Sequence, residues 1–226
     1  MKKIIFSSIL LVFVSFLAAG QQFGVMLGGG LSKKTGTSDI SNDITDPLFT
    51  LNGYLFTNIG IGKKHSAALL PSLGYTSKGI VYHDLYLMDI LGNIFTKSDY
   101  KSRISYLQLD IPLCYQVSFS NKGKMFVGGG PYMAYALSGK AGYFNNSASD
   151  VNDDRFSGTT SIDFKNENLS RFDAGLVLQA YAIFSGRYCV GLKWDIGLAN
   201  LYKKKVFGDT HNRMFGLNVG YIFNKK

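Results

Sequence analysis

The side chains able to do chemistry in this sequence are few and scattered. The acidic stretch Asp150-Val151-Asn152-Asp153-Asp154 opens like an EF-hand calcium loop, but position six holds Arg155 in place of the turn glycine and position twelve holds Ser161 in place of the bidentate glutamate. It reads as a solvated loop. Asp209, Thr210 and His211 bring an acid and an imidazole into one connection, the minimum for general acid–base work, yet no nucleophile motif surrounds them. Cys114 and Cys189 have no closely spaced Cys or His to complete a zinc site, since His65, His83 and His211 fall in or beside loops far from either thiol. A single disulfide between them is the open alternative. The triple glycines Gly28–Gly30 and Gly128–Gly130 are not followed by the Gly-Lys-Ser/Thr of a phosphate loop, and close packing in a narrow interior accounts for them. Lys203-Lys204-Lys205 is suited either to lipid phosphates and acidic glycans or to plain solvation. The expectation is therefore no catalytic residue, no metal ligand and no cofactor.

The elements that must position these groups are strands. The chain has 226 residues, 26 of them Gly against 4 Pro, with 14 Tyr, 17 Phe and 1 Trp. That composition favours short turns and half-buried strands over a helix bundle. Glu167 is the only glutamate among 15 acidic residues, so charged surface helices, which draw on Glu as a helix former, are excluded. At the N-terminus Lys2 and Lys3 precede an apolar core around Ile9 to Leu17 and the small residues Ala18, Ala19 and Gly20. This is the pattern of an export signal, which predicts a signal peptide over 1–20 and a mature domain over 21–226. Export also makes nucleic-acid binding improbable despite the formal charge of +9.

From position 20 onward the apolar period is two. Leu107, Leu109, Ile111, Leu113, Tyr115, Val117 and Phe119 alternate with Gln108, Asp110, Pro112, Cys114, Gln116 and Ser118. Tyr188, Val190, Leu192, Trp194, Ile196 and Leu198 repeat the pattern, as do Phe215, Leu217, Val219, Tyr221 and Phe223. The same template places eight strands near 22–32, 48–61, 66–77, 103–119, 125–138, 169–184, 188–201 and 212–223. Their connections alternate, long at 33–47, 78–102 and 139–168 and short at 62–65, 120–124 and 185–187, with a moderate one at 202–211. An even number of antiparallel strands with one trimmed and one elaborated end describes a transmembrane β-barrel with periplasmic turns and extracellular loops. The predicted fold class is thus an all-β, eight-stranded, antiparallel up-and-down barrel of the outer membrane behind a cleavable signal peptide.

A soluble lipocalin-like ligand carrier is the structural rival, and the polar face separates the two. It carries Gly, Ala, Ser, Asn and Gln instead of the Lys and Glu of a wet surface, together with a few charges of both signs. Asp110, Arg171, Asp173, Gln179, Lys193, Asp195 and Asn218 are accordingly expected to form a polar network in the lumen. Gln179, Lys193 and Asn218 are placed near mid-depth, Asp195 one layer above, and Asp110, Asp173 and Arg171 further out. An eight-stranded barrel is just wide enough for side chains to fill, so this lumen should be a packed core.

Four segments, Tyr106-Leu107-Gln108-Leu109-Asp110-Ile111-Pro112-Leu113, Phe126-Val127-Gly128-Gly129-Gly130-Pro131-Tyr132, Phe172-Asp173-Ala174-Gly175-Leu176 and Trp194-Asp195-Ile196-Gly197-Leu198-Ala199-Asn200-Leu201, resemble the PorT-like outer-membrane β-barrel family of the Bacteroidota. The resemblance implies an eight-stranded barrel in the outer membrane; the family's namesake acts in a secretion pathway for surface proteins. The chain departs from the terminal aromatic common in such barrels, because Asn224, Lys225 and Lys226 follow Phe223. The functional expectation is a non-enzymatic barrel with long extracellular loops in a surface-interaction or envelope-structural role. A secretion accessory is the alternative, with a lipid-modifying rim enzyme further behind. The expected partners are outer-membrane lipid and lipopolysaccharide, and proteins met through extracellular loops or periplasmic turns.

Overall fold

Alternating apolar and polar residues can satisfy their backbone hydrogen bonds inside a membrane only if the sheet has no edge there, and the long strands here close into a ring. The computed structural model describes residues 22–36, 45–62, 66–88, 94–120, 123–145, 158–166, 168–203 and 209–224. Within them lie β1 (Gln22–Gly36), β2 (Thr45–Asp46), β3 (Leu48–Ile61), β4 (Ala67–Leu69), β5 (Ser72–Met88), β6 (Ile94–Asp110), β7 (Leu113–Ser120), β8 (Gly123–Asn145), β9 (Gly158–Ser161), β10 (Phe172–Phe184), β11 (Tyr188–Gly197) and β12 (Thr210–Asn224). All pairings are antiparallel; the wall runs β1–β3–β5–β6–β8–β10–β11–β12, and β12 returns to β1 from Gln22↔Asn224 to Gly36↔Thr210.

Eight spans result from these twelve strands because two spans are each broken in the middle and the short β2 and β9 are side additions, paired only with β5 and β8. β4 and β5 are separated at Leu70-Pro71, and β6 and β7 at Ile111-Pro112, where proline cannot donate to the ladder. The ladder is carried past these breaks by neighbouring donors: Thr57 N–H reaches the Pro71 carbonyl, Leu70 N–H the Pro112 carbonyl and Ile111 N–H the Pro131 carbonyl, each at 3.0 Å.

Outside, the barrel wears a continuous apolar belt that includes Leu27, Leu51, Leu55, Leu113, Val127, Leu178, Leu192, Trp194, Leu217 and Val219, all exposed. A water-soluble protein does not carry such a surface, whereas a lipid-facing wall requires it. At the short-turn end an aromatic girdle closes the belt, with Phe23 stacked on Phe223 at 5.2 Å, Tyr188 edge-on to Tyr221 at 5.7 Å and Phe119 near Phe184 at 6.2 Å. The 184–188 hairpin turns tightly because Ser185 (φ 52°) and Gly186 (φ 67°) both adopt the left-handed conformation, and Arg187 N–H closes it on the Phe184 carbonyl.

The strands run further than hydrophobic alternation indicates. β5 and β6 continue through most of the 78–102 stretch expected to be a connection, and β8 with β9 occupies part of 139–168. The period of two marks where one face meets lipid; beyond the membrane both faces meet water, so the ladder continues while the hydrophobic signal stops. The opposite correction applies near the rim, where β10 begins at Phe172 and β11 ends at Gly197. The flanking residues form a cap. Ile162, Phe164 and Leu169 are buried against Ile104, Tyr106, Tyr132, Ala134, Ala136 and Val177, and Leu169 bridges to Tyr202. Asp163 holds this cap's turn by accepting from Lys165 and Asn166 N–H, and those bonds keep its carboxyl below the usual carboxylate range.

Candidate functional site

The interior below that cap is charged. Lys78 on β5 places Nζ 3.1 Å from Asp173 Oδ2 on β10 and 3.4 Å from Asp195 Oδ2 on β11. Lys193 on β11 places Nζ 2.7 Å from Asp110 Oδ2 at the end of β6 and 3.6 Å from Asp195 Oδ1. Asp195 thus joins the two lysines, and the side chains of all five residues are essentially inaccessible to solvent. Two ammonium groups face three carboxylates in a space where each ion alone would be costly, so the remaining lone pairs must be met by neutral donors.

Those donors come from the inward face of neighbouring strands. Gln108 Nε2 donates to Asp110 Oδ1 at 2.8 Å and to Asp195 Oδ2 at 2.9 Å, while Ser72 Oγ donates to Asp110 Oδ2 at 2.8 Å. Tyr132 OH and Asn212 Nδ2 donate to Asp173, at 3.3 and 3.0 Å. The lysines also lie over aromatic faces, Lys78 Nζ 4.1 Å from the Tyr132 ring centre and Lys193 Nζ 3.9 Å from that of Tyr54. An ammonium gains from the ring quadrupole there without needing a water. The arrangement pairs and fixes these charges, with one carboxylate in excess.

Of the seven residues expected in the lumen, Asp110, Asp173, Lys193 and Asp195 are brought together here. Gln179 and Asn218 are buried but sit below the ions, where Gln179 Nε2 donates to Cys114 Sγ at 3.5 Å and Asn218 Nδ2 donates to Tyr181 OH at 3.5 Å. Arg171 is a correction. It precedes the first residue of β10, so strand parity does not aim it inward. Its Nη1 donates to the Ala136 carbonyl at 3.0 Å and its guanidinium covers Phe164 at 4.2 Å, at the rim. Lys78 was missed by the sequence reading because it falls one residue past the expected end of its strand. The inward file of Ser72, Gly74 and Thr76, extended by one step, would have found it.

Beneath the ions a cavity of about 20 Å³ is lined mostly by Met26, Phe56, Leu70, Phe126, Tyr181, Ile183 and Cys189, with Asn58, Ser72 and Gln179 as its polar members. That is room for about one water. Gly191 shows how tight the wall is, because a Cβ there would fall on the Tyr181 ring. Cys114 and Cys189 are both free thiols in this region.

Among the described residues, the other sequence candidates do not gather into a site. Asp209 accepts from Asn200 Nδ2 at 2.8 Å and His211 Nδ1 lies 3.1 Å from the Ala199 carbonyl, so acid and imidazole are each tied to the 198–203 segment. Asp150–Asp154, Lys204 and Lys205 lie outside the described residues, and Lys203 donates to the Phe164 carbonyl at 3.0 Å. His83 is held between two acids, Nδ1 2.9 Å from Asp99 and Nε2 3.0 Å from Asp46. Desolvation pulls its pKa down, but Asp99 and Asp46 outweigh that and leave it above the usual 6.5.

Among solved structures, the chain is similar to Ail, the attachment invasion locus protein of Yersinia pestis, in complex with the heparin analogue sucrose octasulfate, at 12% identity over 89% of this chain and 98% of that one, with a TM-score of 0.41. It is also similar to Neisserial surface protein A, at 9% identity over 89% and 97% of the two chains with a TM-score of 0.40. OprG of Pseudomonas aeruginosa gives 10% identity over 92% and 98%, with a TM-score of 0.34. No curated protein matches the sequence. The model of the outer membrane protein beta-barrel domain matches residues 13–203, and with the closed antiparallel wall, apolar belt and ion-paired interior described above, the chain belongs to that family and resides in the outer membrane.

Proposed function

We propose that the protein is a non-enzymatic surface-interaction barrel in which the interior is a rigid, closed mount and the long connections do the binding. The observation that carries this reading is the filled interior: Lys78, Lys193, Asp110, Asp173 and Asp195 form ion pairs with one another across the barrel, and Ile162, Phe164 and Leu169 cover one mouth. A barrel packed in this way has nothing to conduct, and recognition passes to the connections. In this reading residues 1–20 are a leader removed on export, residues 21–226 form the mature barrel, and the long connections face the exterior. The PorT-like resemblance supports a second reading, an accessory of a surface-protein secretion system in a member of the Bacteroidota.

Tags inserted near Asp89 or Asn146 should be reachable on intact cells and one near Asn121 should not; labelling at Asn121 alone would reverse the orientation. Crosslinked pull-down from native membranes separates the readings, since recovery of secretion-machine components favours the second and recovery of envelope or host-surface molecules the first. An altered lipid A profile in a deletion strain would instead point to a lipid-modifying enzyme.

A further inference from the structure

Past the rim of the barrel, the edge of β8 that β10 occupies lower down is taken over by β9. β8 pairs with β10 from Lys124 to Tyr135 and with β9 from Lys140 to Tyr143. Ile162 N–H donates to the Gly139 carbonyl at 2.9 Å, which fixes the phase of this ladder. Hydrogen-bonded and non-hydrogen-bonded rows alternate in an antiparallel pair, so Gly158 and Thr160 turn their backbone groups to β8 while Thr159 and Ser161 turn theirs away. Among the described residues β9 pairs with β8 alone, and all four of its residues are exposed. Sheets usually guard such an edge with a charge, a proline or a bulge. Gly158-Thr159-Thr160-Ser161 carries neither charge nor proline, and its register with β8 is unbroken. The face beside this edge is cationic. Lys140 stands directly opposite Ser161 in a non-hydrogen-bonded row, the kind in which side chains lie closest. It is exposed and forms no ion pair among the described residues. Arg103 and Lys101 share its face one strand further in, where Asp99 is already engaged by His83.

We infer that the open edge of β9 docks an extended, acidic segment of a partner protein, which joins the sheet as a further strand. The inference rests on the reading that the connections do the binding and names the backbone that does it. Thr159 and Ser161 each offer one amide donor and one carbonyl acceptor on the open side, and an extended chain is the ligand that meets all four at once. Its side chain beside Ser161 would lie two strands from Lys140, about 10 Å between backbones, a gap that a lysine and a glutamate close by leaning toward each other over the small Ser161. The same charge argues against a second copy as the occupant. A second β9 would bring its own Lys140, Arg103 and Lys101 to the seam and set like charges against like.

The test uses the whole barrel in detergent and a fluorescent peptide alternating valine and glutamate as the probe, with binding read by anisotropy. The wild type should bind it. Thr159→Pro should weaken binding by about tenfold or more, because proline removes an outward donor and puts its ring in the path of an added strand, while the bonds to β8 do not use that N–H. Thr159→Val should bind as the wild type does, and Lys140→Gln should weaken binding about two- to fivefold. The same peptide methylated on every backbone nitrogen should bind the wild type at least about tenfold more weakly, which tests main-chain pairing without altering the barrel. Heat-modifiable mobility on gels identifies the folded fraction of each variant. No binding by the wild type, equal binding of the methylated peptide, tighter binding of a valine–lysine peptide, or undiminished binding by folded Thr159→Pro would overturn the inference. Self-association of the barrel through Thr159 that excludes the peptide would overturn it too, in favour of a second copy. If the peptide fails while crosslinking in native membranes still recovers envelope or host-surface molecules, the edge assignment falls and the surface-interaction reading stands.

Discussion

Lys193 and Leu192 are adjacent in sequence and live in different solvents. Lys193 points into the enclosed interior, where Asp110 and Asp195 are its counter-ions. Lys193→Met should lower stability by about 3–5 kcal/mol, because two carboxylates would be left facing a methionine. Urea unfolding in lipid vesicles would measure this, and adding Asp110→Asn should recover part of the loss. A Lys193→Met barrel as stable as the wild type would mean that the ion pair is not structural. Leu192, 44% exposed, meets lipid, and Leu192→Arg should cost about 2–4 kcal/mol if it lies near the midplane. Leu109 shares the outward face but is only 2% exposed, packed beside Leu73 and covered by Leu107, Ile111 and Tyr135. Arginine there would fail through lost packing as well as through lipid, which makes Leu192 the cleaner probe of the belt.

At the scale of elements, the two-residue strand β2 is held on β5 partly by His83, which reaches Asp46 from one nitrogen and Asp99 from the other. A histidine whose folded pKa is raised contributes stability that is fully present below the unfolded value near 6.5 and is lost as pH rises through the higher folded pKa. Amide protection factors at Thr45 and Asp46 should therefore fall on going from pH 6 to pH 8, and His83→Gln should flatten that change. Protection that rises over this interval would contradict the clasp. The eight spans were legible because lipid imposes a period of two on each; their outer ends were not, because water on both faces erases it. Lys78 was lost because its strand was ended one residue early although the buried inward file continues into it, and Arg171 was wrongly placed inside because its strand was started too early. The cap of Ile162, Phe164 and Leu169 left no periodic trace at all, since three apolar residues spread over a connection announce neither strand nor helix.

For the whole molecule, the four segments that carry the PorT-like resemblance supply Tyr106, Gln108, Asp110, Tyr132, Asp173 and Asp195, most of the interior polar network. Their residue types are demanded by construction: a closed wall brings these positions face to face from β6, β8, β10 and β11. Resemblance of this kind therefore supports architecture more directly than activity. The same filled interior predicts that the reconstituted wild type shows no steady conductance in planar bilayers. Stable current steps that Lys193→Met abolishes or resizes would instead make the protein a pore.

The two unpaired thiols give the barrel a clock. Cys114 and Cys189 face the apolar floor of the interior, enclosed by Phe126, Tyr181 and Ile183. A maleimide has no route to either sulfur while the wall is closed, so the rate of alkylation in native membranes reports how often β7 or β11 leaves its neighbours. The two positions lie on different spans of the wall, β7 and β11. Equal labelling rates would show that the wall opens as one cooperative unit, and unequal rates would identify which of the two spans separates first.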